Sequence, residues 1–390
     1  MSSSVCRRLH GLFATAKTTS LPKPPKATIF HVSPAVSSDP PTDKTLTALV
    51  AKFKKNSSSN HFRRHGHKAY VNTVRRLAAA NKQSYIDEIL QHQKRYPNIT
   101  NEGFTAQLIS LYGKSGMFDQ AHKLFDEMPQ LNCDRTVMSF NALLSACMNS
   151  KKFDKISELS SELPEKLPIK PDTVSYNPVV KAFCEMGSIG SGLLVVNEIE
   201  KSGVQPDLIT FNTLLDALYR NDRFEEAEKV WGLMQEKNVV PDGRSYTAKI
   251  RALMAGKRIS EAVEVFQKMG SKGVKPDAFT FNALIKGFCD DENLEEAKRW
   301  CEEMLKNDCK PDNVTYRILG YHACDKGDFE YALKLCKEAM SRRCLVGSPL
   351  MQLVLAGLVK ESKMEEAKEL MELGKSNSFF QYKVEWPSDE

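Results

Sequence analysis

Asparagine and aspartate recur in this chain at an interval of thirty-five or thirty-six residues. Asn141, Asn177, Asn212 and Asn282 each stand five residues into a repeating unit, and Thr247 takes that place once. Asp172, Asp207, Asp242, Asp277 and Asp312 each close a unit. An asparagine amide carries a donor and an acceptor together. An aspartate nearby can orient that amide, directly or through water. The same residue types also have plain structural uses. Aspartate after proline is a good helix N-cap, and asparagine near a helix start often bonds the backbone. Both uses place the pairs at helix starts, and the surrounding pattern supplies those helices.

The pattern is clearest from Leu208 to Asp242, LITFNTLLDALYRNDRFEEAEKVWGLMQEKNVVPD, which aligns with Ala278 to Asp312, AFTFNALIKGFCDDENLEEAKRWCEEMLKNDCKPD. Phe211, Leu214, Leu215 and Leu218 have the spacing of one helix face. After a polar break at Asn221 and Asp222, Ala227, Val230, Trp231 and Met234 repeat it. Pro241 ends the unit, because proline cannot continue a helix. A single helical hairpin cannot bury its own apolar faces, so copies must stack. The phase gives seven units, 102–136, 137–172, 173–207, 208–242, 243–277, 278–312 and 313–347. A degenerate copy at 67–101 precedes them; a partial capping copy at 348–375 and a tail at 376–390 follow. The expected fold class is all-α: a right-handed superhelical solenoid of helix-turn-helix repeats.

The segments TFNTLL at 210, TFNALI at 280, SYNPVV at 175 and SFNALL at 139, with the endings VQPD, VVPD, VKPD, CKPD and IKPD, resemble the pentatricopeptide repeat of the P-class. The resemblance is strong over 102–375 and weak over 67–101. The tetratricopeptide repeat has a period of about thirty-four and a Trp-Leu-Gly signature that this chain lacks. The resemblance implies that each unit faces one base of single-stranded RNA, read by two or three side chains. It makes Asn141 with Asp172, Asn177 with Asp207, Asn212 with Asp242, Thr247 with Asp277 and Asn282 with Asp312 the base-reading pairs. Asparagine with aspartate then favours uracil and threonine with aspartate favours guanine, a tract U-U-U-G-U running 5′ to 3′ with the chain. Met138, Val174, Ile209, Arg244, Phe279 and Val314 would sandwich the bases.

Charge divides the chain. Residues 1–101 hold 17 Lys+Arg against 4 Asp+Glu, a net of +13, and the remainder holds 38 against 45, a net of −7. Met1 to Ser38 has no acidic residue and an apolar-basic pattern around Val5 to Ala16, the composition of an organelle transit peptide, with the mitochondrion favoured over the plastid. Residues 39–66 read as a basic disordered arm. Lys52, Lys54, Lys55, Arg63, Arg64, Lys68, Arg75 and Arg76 form a cluster suited to phosphates, joined by Lys114 and Arg220 at the thirteenth position of their units. That position is basic in only two of seven units, and Ala106 with Thr136 and Arg317 with Gly347 make no readable pair. Weak independent RNA binding on an acidic scaffold is expected. The likeness to short plant proteins of mitochondrial ribosomes, carried by Glu102 to Pro129, points to an RNA-binding role in the small subunit, supporting translation. Free action on organellar transcripts and a protein scaffold are the alternatives.

Other chemistry finds little support. The ten cysteines contain no CxxC pair. Cys184, Cys289 and Cys324 share one repeat position, Cys301 and Cys336 a second, and Cys133, Cys309 and Cys344 a third, as structural thiols would. His61, His65 and His67 have no acidic or cysteine partner nearby to complete a zinc site. No HExxH, P-loop or dinucleotide glycine pattern occurs, and no apolar run is long enough to span a membrane. The expectation is no enzyme, cofactor, metal, membrane or small-molecule substrate. The expected partners are single-stranded or ribosomal RNA and mitochondrial ribosomal proteins.

Overall fold

The computed structural model describes residues 43–376 and 384–387; the transit-peptide expectation for 1–38 lies outside them. The described residues fold into helices and connecting turns, in two compact units, 43–217 and 218 onward. No described helix is long and apolar enough to cross a membrane.

The first unit opens with α1 (Asp43–Ser57), α2 (Asn60–His65), α3 (His67–Ala79) and α4 (Gln83–Gln91). This corrects the disordered arm expected at 39–66. Leu46, Val50 and Phe53 lie at helical spacing and are buried, and the Phe53 ring meets Tyr70 edge-on at 4.8 Å. Arg63 is also corrected as a phosphate ligand. It is buried, donates from Nε to Asn98 Oδ1 at 2.7 Å and from Nη1 to the Ser57 and Ser58 carbonyls, and lies 4.2 Å from the Tyr96 ring centre. A buried guanidinium needs such partners, so Arg63 is committed to the fold.

Three helix pairs follow in this unit, α5 (Glu102–Lys114) with α6 (Phe118–Glu127), α7 (Val137–Asn149) with α8 (Phe153–Lys166), and α9 (Thr173–Glu185) with α10 (Ile189–Lys201). The division into units falls within α11 (Leu208–Arg220). The second unit continues with α12 (Phe224–Glu236), then α13 (Gly243–Ala255) with α14 (Ile259–Ser271), and α15 (Ala278–Asp290) with α16 (Leu294–Lys306). After α17 (Asn313–Asp325) and α18 (Phe329–Ser341) come α19 (Ser348–Lys360) and α20 (Met364–Ser376), two full helices where a partial copy was expected. From α5 onward, each odd-numbered helix begins at the first residue of a unit. Each pair turns through a left-handed residue, such as Gly187 (φ 75°), Lys257 (φ 58°) or Glu292 (φ 60°). That geometry ends a helix by satisfying its last carbonyls.

The apolar stripes make the core. Phe211, Phe281, Met234, Met269 and Met304 are fully buried, as are Tyr246 and Tyr316 nearly so. In the second unit, lysines on one helix pair meet acids on a neighbouring pair: Lys298 with Asp328 at 3.0 Å, Lys326 with Glu292 at 2.9 Å, and Lys337 with Glu369 at 2.7 Å. Exposed pairs of this kind contribute little stability, but they occupy the charges that phosphates would need.

Burial pushes the Cys147, Cys289, Cys324 and Cys336 thiols up to about 12 and Cys301 up to about 11. Unfolding would release them to the ordinary thiol value near 9.0. Above that value the unfolded chain binds fewer protons than the folded one, so stability falls as pH rises. Below it, these thiols leave stability level. Each adds a slope of at most about 1.4 kcal/mol per pH unit between the two values. Urea unfolding from pH 7 to 11 should therefore be flat and then steepen near pH 9; an unchanged midpoint up to pH 11 contradicts the burial of these thiols.

Candidate nucleic-acid interface

Each unit-closing aspartate caps the next first helix. Asp172, Asp242, Asp277 and Asp312 have extended backbones, and the side chain of each accepts from the backbone N–H of the third helical residue. That third residue, Ser or Thr, returns a bond to the cap backbone and completes a capping box. Asp207 makes the same pair with Thr210, whose N–H lies 2.9 Å from Oδ1. Burial and the box hold the hydroxyls in place: Ser175, Thr210, Thr280 and Thr315 are all buried.

The asparagines join these boxes from the preceding unit. Asn141 Nδ2 donates to Asp172 Oδ1 at 3.1 Å, Asn177 Nδ2 to Asp207 Oδ1 at 3.2 Å, and Asn282 Nδ2 to Asp312 Oδ1 at 3.2 Å. The box hydroxyl completes the ring by donating to the amide oxygen: Ser175 to Asn141 at 2.6 Å, Thr210 to Asn177 at 2.5 Å, Thr315 to Asn282 at 2.7 Å. A primary amide has two N–H donors and two oxygen lone pairs. Each ring uses one of each and leaves one of each. The ring also fixes which way the amide faces, because a flipped amide would set its NH₂ against the hydroxyl and its oxygen against the carboxylate.

Thr247 reaches Asp277 by the same route with one member changed. Its hydroxyl lies 2.8 Å from Thr280 Oγ1, which donates to Asp277 Oδ1 at 3.0 Å. Asn212 lies on α11 in the first unit and Asp242 caps α13 in the second. The unit 102–136 solves the missing aspartate differently. Glu102 accepts from Thr136 N–H at 2.8 Å, Thr136 Oγ1 at 2.9 Å and Ser139 N–H at 3.1 Å. Burial raises its pKa, but the hydrogen bonds from Thr136 and Ser139 outweigh burial and hold it below the ordinary carboxylate value. The bridging hydroxyls and Glu102 escaped the sequence reading. The recurring Ser/Thr two residues before each asparagine was the available signal.

Beside the rings stand apolar side chains in water. Met138, Val174, Ile209, Phe279 and Val314 are all exposed, Phe279 at 73%, and Arg244 is exposed too. Isolated exposed apolar residues are ordinary, but these share one repeat position beside a polar ring. Between Met138, Gly103, Gln107, Ser110 and Lys114 lies an open cleft of about 430 Å³ that also touches Asn141. Gly103 takes the place of Met138 in its own unit without a side chain, which leaves this cleft wide. A second cleft of about 700 Å³ shares Gly103 and Gln107 and adds Arg64 and Asn101. Lys52, Lys55, Arg64, Lys68, Arg75, Arg76, Lys114 and Arg220 are exposed, whereas Lys54 is paired with Glu88. His61 and His65 stack on each other at 4.6 Å between ring centres.

Parts of this chain are similar to known proteins. Residues 107–149, 171–220, 206–255, 244–290 and 277–320 match the PPR repeat family. Small ribosomal subunit protein mS79 of Arabidopsis thaliana is 45% identical over 197 residues, 50% of this chain and 47% of that protein. Small ribosomal subunit protein mS78 of the same plant is 46% identical over 212 residues, 52% of each. The chain thus spans about half the length of the curated relatives it matches. Among solved structures, the pentatricopeptide repeat protein PPR10 from maize matches 86% of this chain and 54% of its own, at 18% identity and a TM-score of 0.49. With its repeats matched and its helix pairs in phase with them, this chain belongs to the pentatricopeptide repeat family.

Proposed function

We propose that this chain is an RNA-binding repeat protein of mitochondrial gene expression, and that its place is the small subunit of the mitochondrial ribosome. The observation that carries RNA binding is the ring. It leaves the amides of Asn141, Asn177 and Asn282 with one N–H and one lone pair to spare, beside an exposed apolar side chain that can cover a base. A pyrimidine edge offers the complementary acceptor and donor, and stacking needs only a face. The identity to the two ribosomal relatives supports the ribosomal placement. So does charge: lysines that are paired with acids neutralise few phosphates, and phosphate neutralisation supplies most RNA affinity. A large assembly that adds further contacts suits such a surface better than free action on a transcript.

Sedimentation of gently lysed mitochondria on a gradient tests the placement. The protein should travel with the small ribosomal subunit and stay with it when magnesium chelation separates the subunits. A protein found only near the top, or in light RNase-sensitive particles, sinks the ribosomal reading and leaves a soluble factor for particular transcripts.

Changing Asn212 and Asn282 together to alanine tests base reading. Two lost amide contacts should weaken binding to an RNA carrying U-U-U-G-U roughly ten- to hundredfold, with little change against an unrelated sequence. Equal affinity for both RNAs before and after the change would show a scaffold that does not read bases.

A further inference from the structure

Beyond α20 the chain returns to the reading position of its own last described unit. Gln352 is the fifth residue of the unit that begins at Ser348, the place that Asn282 and Thr247 hold in theirs. Both ends of its amide are engaged by one residue. Gln352 Nε2 donates to the Glu385 carbonyl at 2.8 Å, and the Glu385 N–H donates to Gln352 Oε1 at 2.9 Å. Val384, one residue earlier, is half-buried and packs against the core of the second unit. The backbone is therefore anchored beside the amide it meets.

A side-chain amide presents an acceptor and a donor together. One residue's N–H and C=O answer both at once, and the Watson–Crick edge of a nucleobase offers the same kind of donor–acceptor pair. The amides of Asn141, Asn177 and Asn282 meet only carboxylates and hydroxyls, and so keep a donor and an acceptor in reserve. Gln352 has its oxygen and one N–H already matched by a surrogate of the right chemistry.

We propose that the Glu385 backbone stands in for a nucleobase at the Gln352 position and so sets the 3′ limit of the RNA this chain reads. The inference rests on the base-reading proposal. It adds that reading stops before this unit because the chain fills the position itself. Displacing the Glu385 backbone would free Gln352 to accept one more base of any identity.

The test uses the full chain and RNAs that extend U-U-U-G-U by two nucleotides at the 3′ end. The second added nucleotide, which faces Gln352, is either a base or abasic. The natural chain should bind the two RNAs equally. Glu385→Pro removes the N–H from an exposed, irregular stretch and leaves the helices intact. That variant should prefer the base over the abasic nucleotide by about three- to tenfold, the worth of one or two net hydrogen bonds. Adding Gln352→Ala to it should abolish the preference. A natural chain that already distinguishes base from abasic there, or a Glu385→Pro chain that does not, overturns the inference. An abasic nucleotide opposite Asn282 serves as the control. If it leaves binding by the natural chain unchanged, base reading itself fails and this limit fails with it. If it weakens binding, the outcome at Gln352 bears on the surrogate alone.

Discussion

Phe281→Ala should destabilise the second unit by roughly 3–5 kcal/mol, the usual cost of removing a buried phenyl ring. Phe281 is fully buried and meets Phe266 at 5.4 Å and Trp300 at 6.4 Å between ring centres. Phe266 and Trp300 in turn meet edge-on at 5.0 Å. Three rings from three helices thus share one contact, and alanine leaves a cavity that two rigid rings cannot close. The effect should also reach the site, because Phe281 precedes Asn282 on the same helix turn. Once α15 can shift, the Asn282–Asp312–Thr315 ring loses its fixed register. Hydrogen exchange should show faster opening across α15 and α16, spreading less to distant repeats, since stability in such arrays is a sum of local and nearest-neighbour terms. A urea midpoint within error of the natural chain would contradict the packing described for Phe281.

The residues behind that expectation were legible in the sequence. Phe281, Leu284 and Met304 fall at fixed places in a thirty-five-residue beat, and a period longer than a helix turn reports a stacking unit. The beat located Asp312 as a cap for the same reason: proline followed by aspartate recurs just before each apolar run. The bond from Thr315 to Asn282 was not legible. It joins residues one unit apart, and its existence depends on how far one helix pair is displaced along the next, which no local pattern states. Residues 43–65 were misread for a different reason. Lysine and arginine dominate their composition, yet Leu46, Val50 and Phe53 already had helical spacing. Arg63 looked like its neighbour Arg64 until the fold buried one and exposed the other. The meeting of Gln352 with Glu385 had no signal at all, because it depends on where the chain returns after a helix ends.

Gly113→Leu should be strongly disruptive to the first unit, costing about 3 kcal/mol or more, the top of the range for overpacked sites. Gly113 lies within α5 where that helix crosses α7. A Cβ there would sit 2.3 Å from the Ala146 Cα and 2.5 Å from its Cβ. Neither is the end of a flexible side chain, so the two helix backbones must move apart. Alanine is already too large, despite its helix propensity about 1 kcal/mol better than glycine. Gly232 in α12 supplies the contrast. Nothing lies within 4 Å of its Cβ position, so Gly232→Ala should stabilise by about 0.5–1 kcal/mol. The displacement at Gly113 has a functional reading as well. Met138 and Lys114 line one cleft because α5 and α7 lie that close, and under the proposed base reading consecutive first helices must keep that spacing for consecutive bases to fit between their side chains. Gly113→Leu should therefore lower the melting temperature and weaken RNA binding together, whereas Gly232→Ala should raise the first and leave the second unchanged. A Gly113→Leu chain with the natural melting temperature would show that α5 and α7 do not meet at this glycine.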